Sequence, residues 1–376
     1  MLSFYRGLSS KLTRKGLKEK KSILMIGPFP EHVSGVSLAN QVVKDILSED
    51  SFFKVDFINT SYSKFDEQLG QFTFKKFFFY LSQNFKLVKI FNHKIIYITP
   101  GQTFFGVLKY TFFIILSSIL NKQLIIHVHG NYLRKEYNSL NGFKRGVFYF
   151  LLSRFTKGIV LSDSLKENLI PFIDESKIFC LPNFAQDYLY KEEKKLVNDE
   201  LRIFYLSNLM KEKGIICLLA ALKNLEINNI KYTAKIAGDI DEKFSKEIFK
   251  LFDELKHTEY VGIVNGEAKK NLLNWGNIFV LPTFYKMEGQ PISILEAMAT
   301  KNLVVTTNHA GILDIFRDNI NGFIVEKNSV KSIQDILTYI ANNKSELKKI
   351  ATYNEQYFLA NFTVNRFKEN LIKIIK

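Results

Sequence analysis

The chain has 376 residues, 47% of them hydrophobic and 24% charged. That balance excludes a disordered tail protein, a collagen-like fibre and a coiled coil, and the length suits two or three domains. Two cysteines, Cys180 and Cys217, exclude a disulfide scaffold; neither stands in a Cys-x-x-Cys pair, so a zinc knuckle is not expected, and the usage suits a reducing cytoplasm. The formal charge of +15 is uneven: residues 1–190 carry 25 Lys and Arg against 14 Asp and Glu, residues 191–376 carry 27 against 23. A basic first half points to an anionic partner, whether membrane surface, nucleic acid or phosphorylated substrate.

Residues 1–21 form a basic tail: seven Lys or Arg interleave with Leu2, Phe4, Tyr5, Leu8 and Leu12. No long apolar run follows, so the tail is not a secretory signal. It reads either as a short helix on anionic lipid or as a solvated basic extension. Ser22–Ile26 is a continuous apolar run of the buried parallel-strand kind, ended by Gly27-Pro28. A loop with Ser34-Gly35 leads into a helix over 36–47, with Val36, Ala39, Val43 and Leu47 on one face; 52–58 is the next strand. Residues 60–93, rich in Lys and Phe, resist assignment. Thr103–Leu120 is apolar enough to raise a membrane span. Lys109 interrupts it, however, and strands at 94–99 and 124–129 flank it, so it reads as the helix of a βαβ crossover. Strands at 158–161 and 178–181 complete a first domain, 22–190.

The charged stretch 191–200 is the expected linker. Strands at 202–206, 233–237, 259–261, 278–281, 303–306 and 323–325 then alternate with helical patterns over a second domain, 201–355. Residues 356–376 form a helical tail free to pack back on the first domain. Two runs of strand–helix alternation predict an α/β protein of two Rossmann-like, doubly wound domains facing a cleft, with ligands outside the carboxyl ends of the strands.

The most informative stretch is 279–300, FVLPTFYKMEGQPISILEAMAT. Pro291 suits the start of a helix. In that helix Ile292, Leu295, Glu296 and Ala299 share a face, and Glu296 is the one charge on an element that looks buried nearly all round. A buried carboxylate needs donors, supplied by a ligand's hydroxyls, by a nearby Lys or by backbone amides. Glu288 and Glu296, in the pattern P-T-x4-E-G-x-P-x4-E-A-M-A, resemble the Glu-x7-Glu signature of retaining GT-B glycosyltransferases, in particular glycosyltransferase family 4, the glycosyl transferases group 1. Further elements fall in the family's order: Ser207–Gly214 (SNLMKEKG), Ala237-Gly238-Asp239, Tyr260-Val261-Gly262, His309-Ala310-Gly311-Ile312 with Asp314, and Asn321-Gly322-Phe323. In the first half, Pro28–Gly35 and His127-Val128-His129-Gly130 resemble the family's loop after the first strand and its His-x-His-Gly strand end.

The resemblance implies a GT-B fold and transfer of a sugar from a nucleotide diphosphate sugar, expected to be a UDP-sugar, with retention and with no cofactor or metal. It implies Glu288, His129 and Lys213 as the catalytic set. It places the donor against Gly35, Asn208, Lys213, Gly262, Glu288, Gly289, Gln290, Pro291, Ile292 and Glu296. Lys213 and helix N-terminal amides would neutralise the diphosphate, Glu288 would meet sugar hydroxyls, and Glu296 the ribose. A lone histidine on a strand is otherwise a core residue with one satisfied hydrogen bond; His129 ranks ahead of His127 because it is nearer the strand end. The chain departs from the pattern at Ser207-Asn208, where Gly-Arg is usual, at Ser34-Gly35, where Gly-Gly is usual, and at His309-Ala310-Gly311, one Gly short. The expected acceptor is a lipid-linked or surface-polysaccharide glycan. The expected location is the cytoplasm, peripheral on the inner face of the plasma membrane, with no nucleic-acid partner. Competing readings are a nucleotide-sugar epimerase and a non-catalytic membrane- or nucleic-acid-binding protein on a degenerate fold. Asp239-Ile240-Asp241 matches an Asp-x-Asp metal motif, but Asp241 also suits a helix cap.

Overall fold

The computed structural model describes residues 20–30, 34–61, 83–190 and 200–376. Of the sequence expectations, the tail at 1–19, the linker at 191–199, residues 31–33 of the first loop and residues 62–82 lie outside the described residues.

The first domain is a six-stranded parallel sheet in the order β2-β1-β3-β4-β5-β6, from β1 (Lys21–Gly27), β2 (Phe53–Asn59), β3 (Ile95–Ile98), β4 (Gln123–Val128), β5 (Lys157–Val160) and β6 (Ile178–Cys180). Ile23 to Ile26, Ile95 to Ile98 and Leu124 to Val128 are buried throughout, as a sheet covered on both faces demands. On one face lie a 3₁₀ helix (Gln83–Asn92), α2 (Phe104–Leu108), α3 (Thr111–Ile119), α4 (Leu133–Ser139) and α5 (Gly142–Leu152), packed through Ile90, Val107, Phe113 and Phe148. The single helix expected over 103–120 is thus two, broken at Lys109-Tyr110. The Tyr110 hydroxyl turns inward to Thr60 Oγ1 (2.9 Å) and the Thr99 carbonyl (3.3 Å). Among the described residues no helix is long and apolar enough to cross a membrane.

The other face carries α1 (Gly35–Glu49) and, from the far end of the chain, α12 (Val364–Ile375). A reciprocal capping box starts α1: Ser37 N–H donates to Ser34 Oγ (3.1 Å) and Ser34 N–H to Ser37 Oγ (2.8 Å). Phe367, Leu371, Ile374 and Ile375 of α12 share one core with Ile23, Met25, Val43 and Leu47.

The second sheet is also parallel, in the order β12-β11-β10-β7-β8-β9. Its strands are β7 (Leu201–Leu206), β8 (Tyr232–Ala237), β9 (Thr258–Gly262), β10 (Ile278–Leu281), β11 (Leu303–Thr307) and β12 (Gly322–Val325). Around them lie α6 (Ile215–Ile227), α7 (Ser245–Asp253), α8 (Gly266–Trp275), α9 (Ile292–Ala299), α10 (Val330–Asn342) and α11 (Ser345–Asn361). Strand order reverses between β1 and β3 in the first sheet and between β7 and β10 in the second. Those switch points are where open parallel sheets take ligands, and each feeds a loop into the cleft. The chain leaves the first domain after Ala185, which bridges to Thr363. It returns beside that residue, where Ala185 N–H donates to the Phe362 carbonyl (3.3 Å).

Candidate active site

The loops after β7 and β10, which flank the second switch point, supply the central charges. Gly214 ends the first loop in a left-handed conformation (φ +81°), and a Cβ there would sit 2.4 Å from the Pro282 carbonyl oxygen. Only glycine lets the start of α6 abut the end of β10 in this way. Lys213 and Glu288 are thereby brought together, with Nζ 2.6 Å from Oε2 and side chains 14% and 9% exposed. Thr283 Oγ1 donates to the same carboxylate oxygen (3.1 Å), and the Lys213 ammonium lies 5.0 Å from the centre of the Tyr285 ring. Burial, with Glu288 and Glu212 nearby, pushes the Tyr285 phenol up to about 12. His309 Nε2 meets the Tyr285 carbonyl at 2.7 Å, and burial holds that ring below its ordinary value.

Opposite stands the end of β4. His127 is fully buried and its Nδ1 lies 2.5 Å from the Tyr97 hydroxyl. The His129 ring lies 4.0 Å from it, centroid to centroid. Neither Nε2 atom has a hydrogen-bond partner. Burial lowers both, His127 well below its ordinary value and His129 to about 4, so both rings are neutral at pH 7. His127, buried with one hydrogen bond to Tyr97, fits the core reading of a strand histidine.

The Glu288 loop is clasped to the first domain. Gln102 Nε2 donates to the Met287 carbonyl (3.3 Å), while its Oε1 accepts from Tyr132 N–H (2.6 Å). With its amide turned to satisfy both atoms, Asn131 donates to the carbonyls of Lys286 (2.6 Å) and Glu288 (3.1 Å). A Cβ on Gly289 would meet the His129 carbonyl oxygen at 2.3 Å, so the two backbones touch there. Gln290 turns away from the Lys213–Glu288 pair: Asn183 N–H donates to its Oε1 (2.6 Å), Asn183 Nδ2 to its carbonyl (2.8 Å), and its Nε2 to the Leu161 carbonyl (3.4 Å).

Other expected site residues fall around this centre. Pro291 caps α9, and Ile292 opens it, with its Cδ1 3.8 Å from where a Cβ on Gly35 would stand. The N-termini of α1 and α9 thus face each other across the cleft. Glu296 is buried on α9 and paired with Lys269 of α8, the lysine alternative left open by the sequence. Asn208 is exposed, its carbonyl accepting from the Tyr205 hydroxyl (2.8 Å). Gly262 is left-handed (φ +72°) with open space where a Cβ would stand. Asp241 Oδ1 accepts from Lys243 N–H (3.0 Å), a capping bond, and no cluster of three metal-ligating side chains occurs among the described residues.

Residues 188–357 match the family model described as glycosyl transferases group 1. Those residues belong to the glycosyl transferases group 1 family. The segment carries Lys213, Glu288 and Glu296. The chain is 29% identical over 225 residues to a capsular polysaccharide biosynthesis glycosyltransferase, CapM, of Staphylococcus aureus, covering 55% of this chain and 59% of that one. The first curated relatives are matched over about half their own length. Among solved structures, sucrose-phosphate synthase from Thermosynechococcus elongatus superposes with a TM-score of 0.75 at 14% identity, over 95% of this chain and 98% of that one. HepE from Anabaena, in complex with UDP and glucose, gives 0.71 at 15%, over 94% and 99%. These likenesses show a GT-B fold across both domains.

Sequence reasoning passed over Thr283, Tyr285, Asn131, Gln102 and Asn183. A signal was present for several of them: Thr283, Asn131 and Asn183 are polar residues one to three positions past a strand end, as His129 is.

Proposed function

We propose that the chain is a retaining glycosyltransferase that moves a sugar from a UDP-sugar, without a metal, to a lipid-linked glycan of a surface polysaccharide. The observation that carries this reading is the Lys213–Glu288 pair at the switch point of the second sheet, beside the N-terminus of α6 and facing His129. Breaking a sugar–phosphate bond builds negative charge on the departing diphosphate. Lys213 and the first amides of α6 stabilise that charge from fixed positions. Glu288, released from Lys213 as the diphosphate arrives, accepts hydroxyls of the donor sugar and orients it. Neutral His129, with an unpartnered Nε2, meets the sugar from the first domain. In retention the acceptor enters on the face the diphosphate leaves, so the leaving group must stay anchored while the bond forms. The UDP complex of HepE supports UDP as the nucleotide, and the likeness to a capsular polysaccharide biosynthesis glycosyltransferase supports a surface polysaccharide as the product. The excess of base over acid in residues 1–190 supports peripheral association with the anionic inner face of the plasma membrane.

The test is thermal shift with a panel of nucleotides and UDP-sugars, with and without EDTA, followed by NMR of the product's anomeric proton. Ligands that bind only the native state raise its stability. The expected result is stabilisation by UDP that EDTA leaves unchanged, and a product with the donor's configuration. A shift abolished by EDTA returns Asp239 and Asp241 to consideration. A free isomerised sugar, or no response to any nucleotide, overturns the reading in favour of an epimerase or a non-catalytic protein.

A further inference from the structure

We propose that the outer face formed by the 3₁₀ helix Gln83–Asn92, α2, α3 and α5 is the surface that seats the chain on an anionic lipid bilayer. The inference rests on the membrane association included in the reading above, not on the transfer chemistry. These elements pack side by side on one face of the first sheet. A 3₁₀ helix turns once in three residues, so Phe85, Val88 and Phe91 form a single edge. All three are exposed, Phe85 by 88%, while Ile90 between them is in the core. Phe105, Phe112 and Ile119 repeat at sevens along α2 and α3, and Phe143 (86% exposed) and Phe150 share one side of α5. In the second domain the exposed large apolar side chains, such as Ile227, Phe249 and Tyr339, stand one to an element.

Charge says what covers this face. Residues 83–92, 104–122 and 142–154 carry Lys86, Lys89, Lys109, Lys122, Lys144, Arg145 and Arg154, and no Asp or Glu. At the chain's overall frequency of 37 in 376, about four acidic residues belong in that length. The Arg154 guanidinium lies 4.5 Å over the exposed Phe150 ring, so cation and apolar surface are presented together. Pairing with a second copy about a two-fold axis would set this cationic face against itself. Aliphatic and phenyl side chains ringed by cations suit acyl chains beneath anionic headgroups. The face also borders the cleft: α2 begins two residues after Gln102, which bonds the loop carrying Glu288. An acceptor anchored in the same bilayer is thereby brought level with the site.

The experiment is flotation of the full chain with phosphatidylcholine vesicles and with vesicles containing 30% phosphatidylglycerol, in low and high salt. The expected result is binding to the anionic vesicles that falls with salt. In a variant with Phe85→Ser, Phe91→Ser, Lys86→Gln and Lys89→Gln, partition should fall at least tenfold, each lysine contributing about fivefold. A control with Ile227→Ser and Phe249→Ser in the second domain keeps full partition. The UDP-induced thermal shift is measured on every variant: a shift preserved when vesicle binding is lost shows that the fold and the donor reading stand independently. Undiminished partition of the four-site variant overturns the proposal, whether binding then lies in the tail or elsewhere. Self-association abolished by the same substitutions, without vesicle binding in the parent chain, overturns it in favour of a second copy.

Discussion

Replacing either member of the Lys213–Glu288 pair has opposite consequences for UDP and parallel ones for stability. Lys213→Ala strands a carboxylate that is 9% exposed and keeps the Thr283 hydroxyl as a donor. Breaking a fully buried pair costs about 3–5 kcal/mol. Because this pair opens on a cleft, the lower end, about 3 kcal/mol, applies. In a domain of this size each kcal/mol lowers Tm by about 2–4 °C, so the second domain's transition should fall by about 6–12 °C. Glu288→Gln keeps the contact with Thr283 and leaves Lys213 over the Tyr285 ring, 5.0 Å away. Its cost should be near 1 kcal/mol, within the range of a lost charge-assisted hydrogen bond set against a retained cation–π contact. For UDP the order inverts. In the free protein Glu288 occupies the charge that a diphosphate needs, so Glu288→Gln should bind UDP several-fold more tightly while losing transfer. Lys213→Ala should bind UDP tenfold or more weakly. Titration calorimetry reads the affinities, and scanning calorimetry of both single variants and the double variant reads a coupling of about 1.5 kcal/mol or more. If Glu288→Gln weakens UDP as far as Lys213→Ala does, competition for one ammonium is not what the pair does.

Further expectations concern the contact between the domains and the buried rings. Gly289→Ala places a Cβ against the His129 carbonyl at 2.3 Å; UDP affinity should hold while transfer falls at least about tenfold, since closure completes the site. Asn183→Ala removes the side-chain hydrogen bond to the Gln290 carbonyl, about 0.5–1.5 kcal/mol, and keeps the one from its backbone N–H to Gln290 Oε1; small-angle scattering should show a larger radius of gyration with unchanged far-UV dichroism. His127 and His129 are neutral when folded and take up protons when unfolded, the latter titrating near 4 instead of 6.5. Their contribution is therefore complete above pH 6.5. It is lost as pH falls toward 4, by up to about 1.4 kcal/mol per pH unit for each ring, and His129→Asn should flatten the slope of Tm against pH in that window. Gly214→Ala forces a left-handed alanine against the Pro282 carbonyl and should cost about 2 kcal/mol or more by urea denaturation.

Much of the fold was legible because parallel strands covered on both faces read as unbroken apolar runs: the strand expected at 278–281 coincides with β10, and the others differ by a residue or two at their ends. The helix over 103–120 was misjudged because apolar pattern does not report a break. What decides it is the Tyr110 hydroxyl reaching Thr60 and Thr99, partners remote in sequence. The charged pair at the site was legible as two residue types in a motif, but not as a pair, since Lys213 and Glu288 meet only after β7 and β10 align. Glu296 shows the limit most plainly. Its burial followed from the helix pattern, while its counter-ion, Lys269, is on the preceding helix; the pattern alone left ligand and lysine open, and the resemblance gave Glu296 the ribose. Gln290, expected at the donor, spends its amide on Asn183 and Leu161, bonds that no local pattern encodes.

The packing of α12 against β1 has a consequence for synthesis. Phe367, Leu371, Ile374 and Ile375 fill one side of a sheet whose first strand is made near the start of the chain. A ribosome emits domains from the N-terminus onward, yet this first domain cannot close its own core until the whole second domain has emerged. During that interval Ile23, Met25 and Leu47 lack part of their cover. The nascent chain thus presents a sticky apolar seam for the time needed to make roughly half its length, about 10–40 s at ordinary elongation rates, and a holdase binding there would be released by the arrival of residues 364–375.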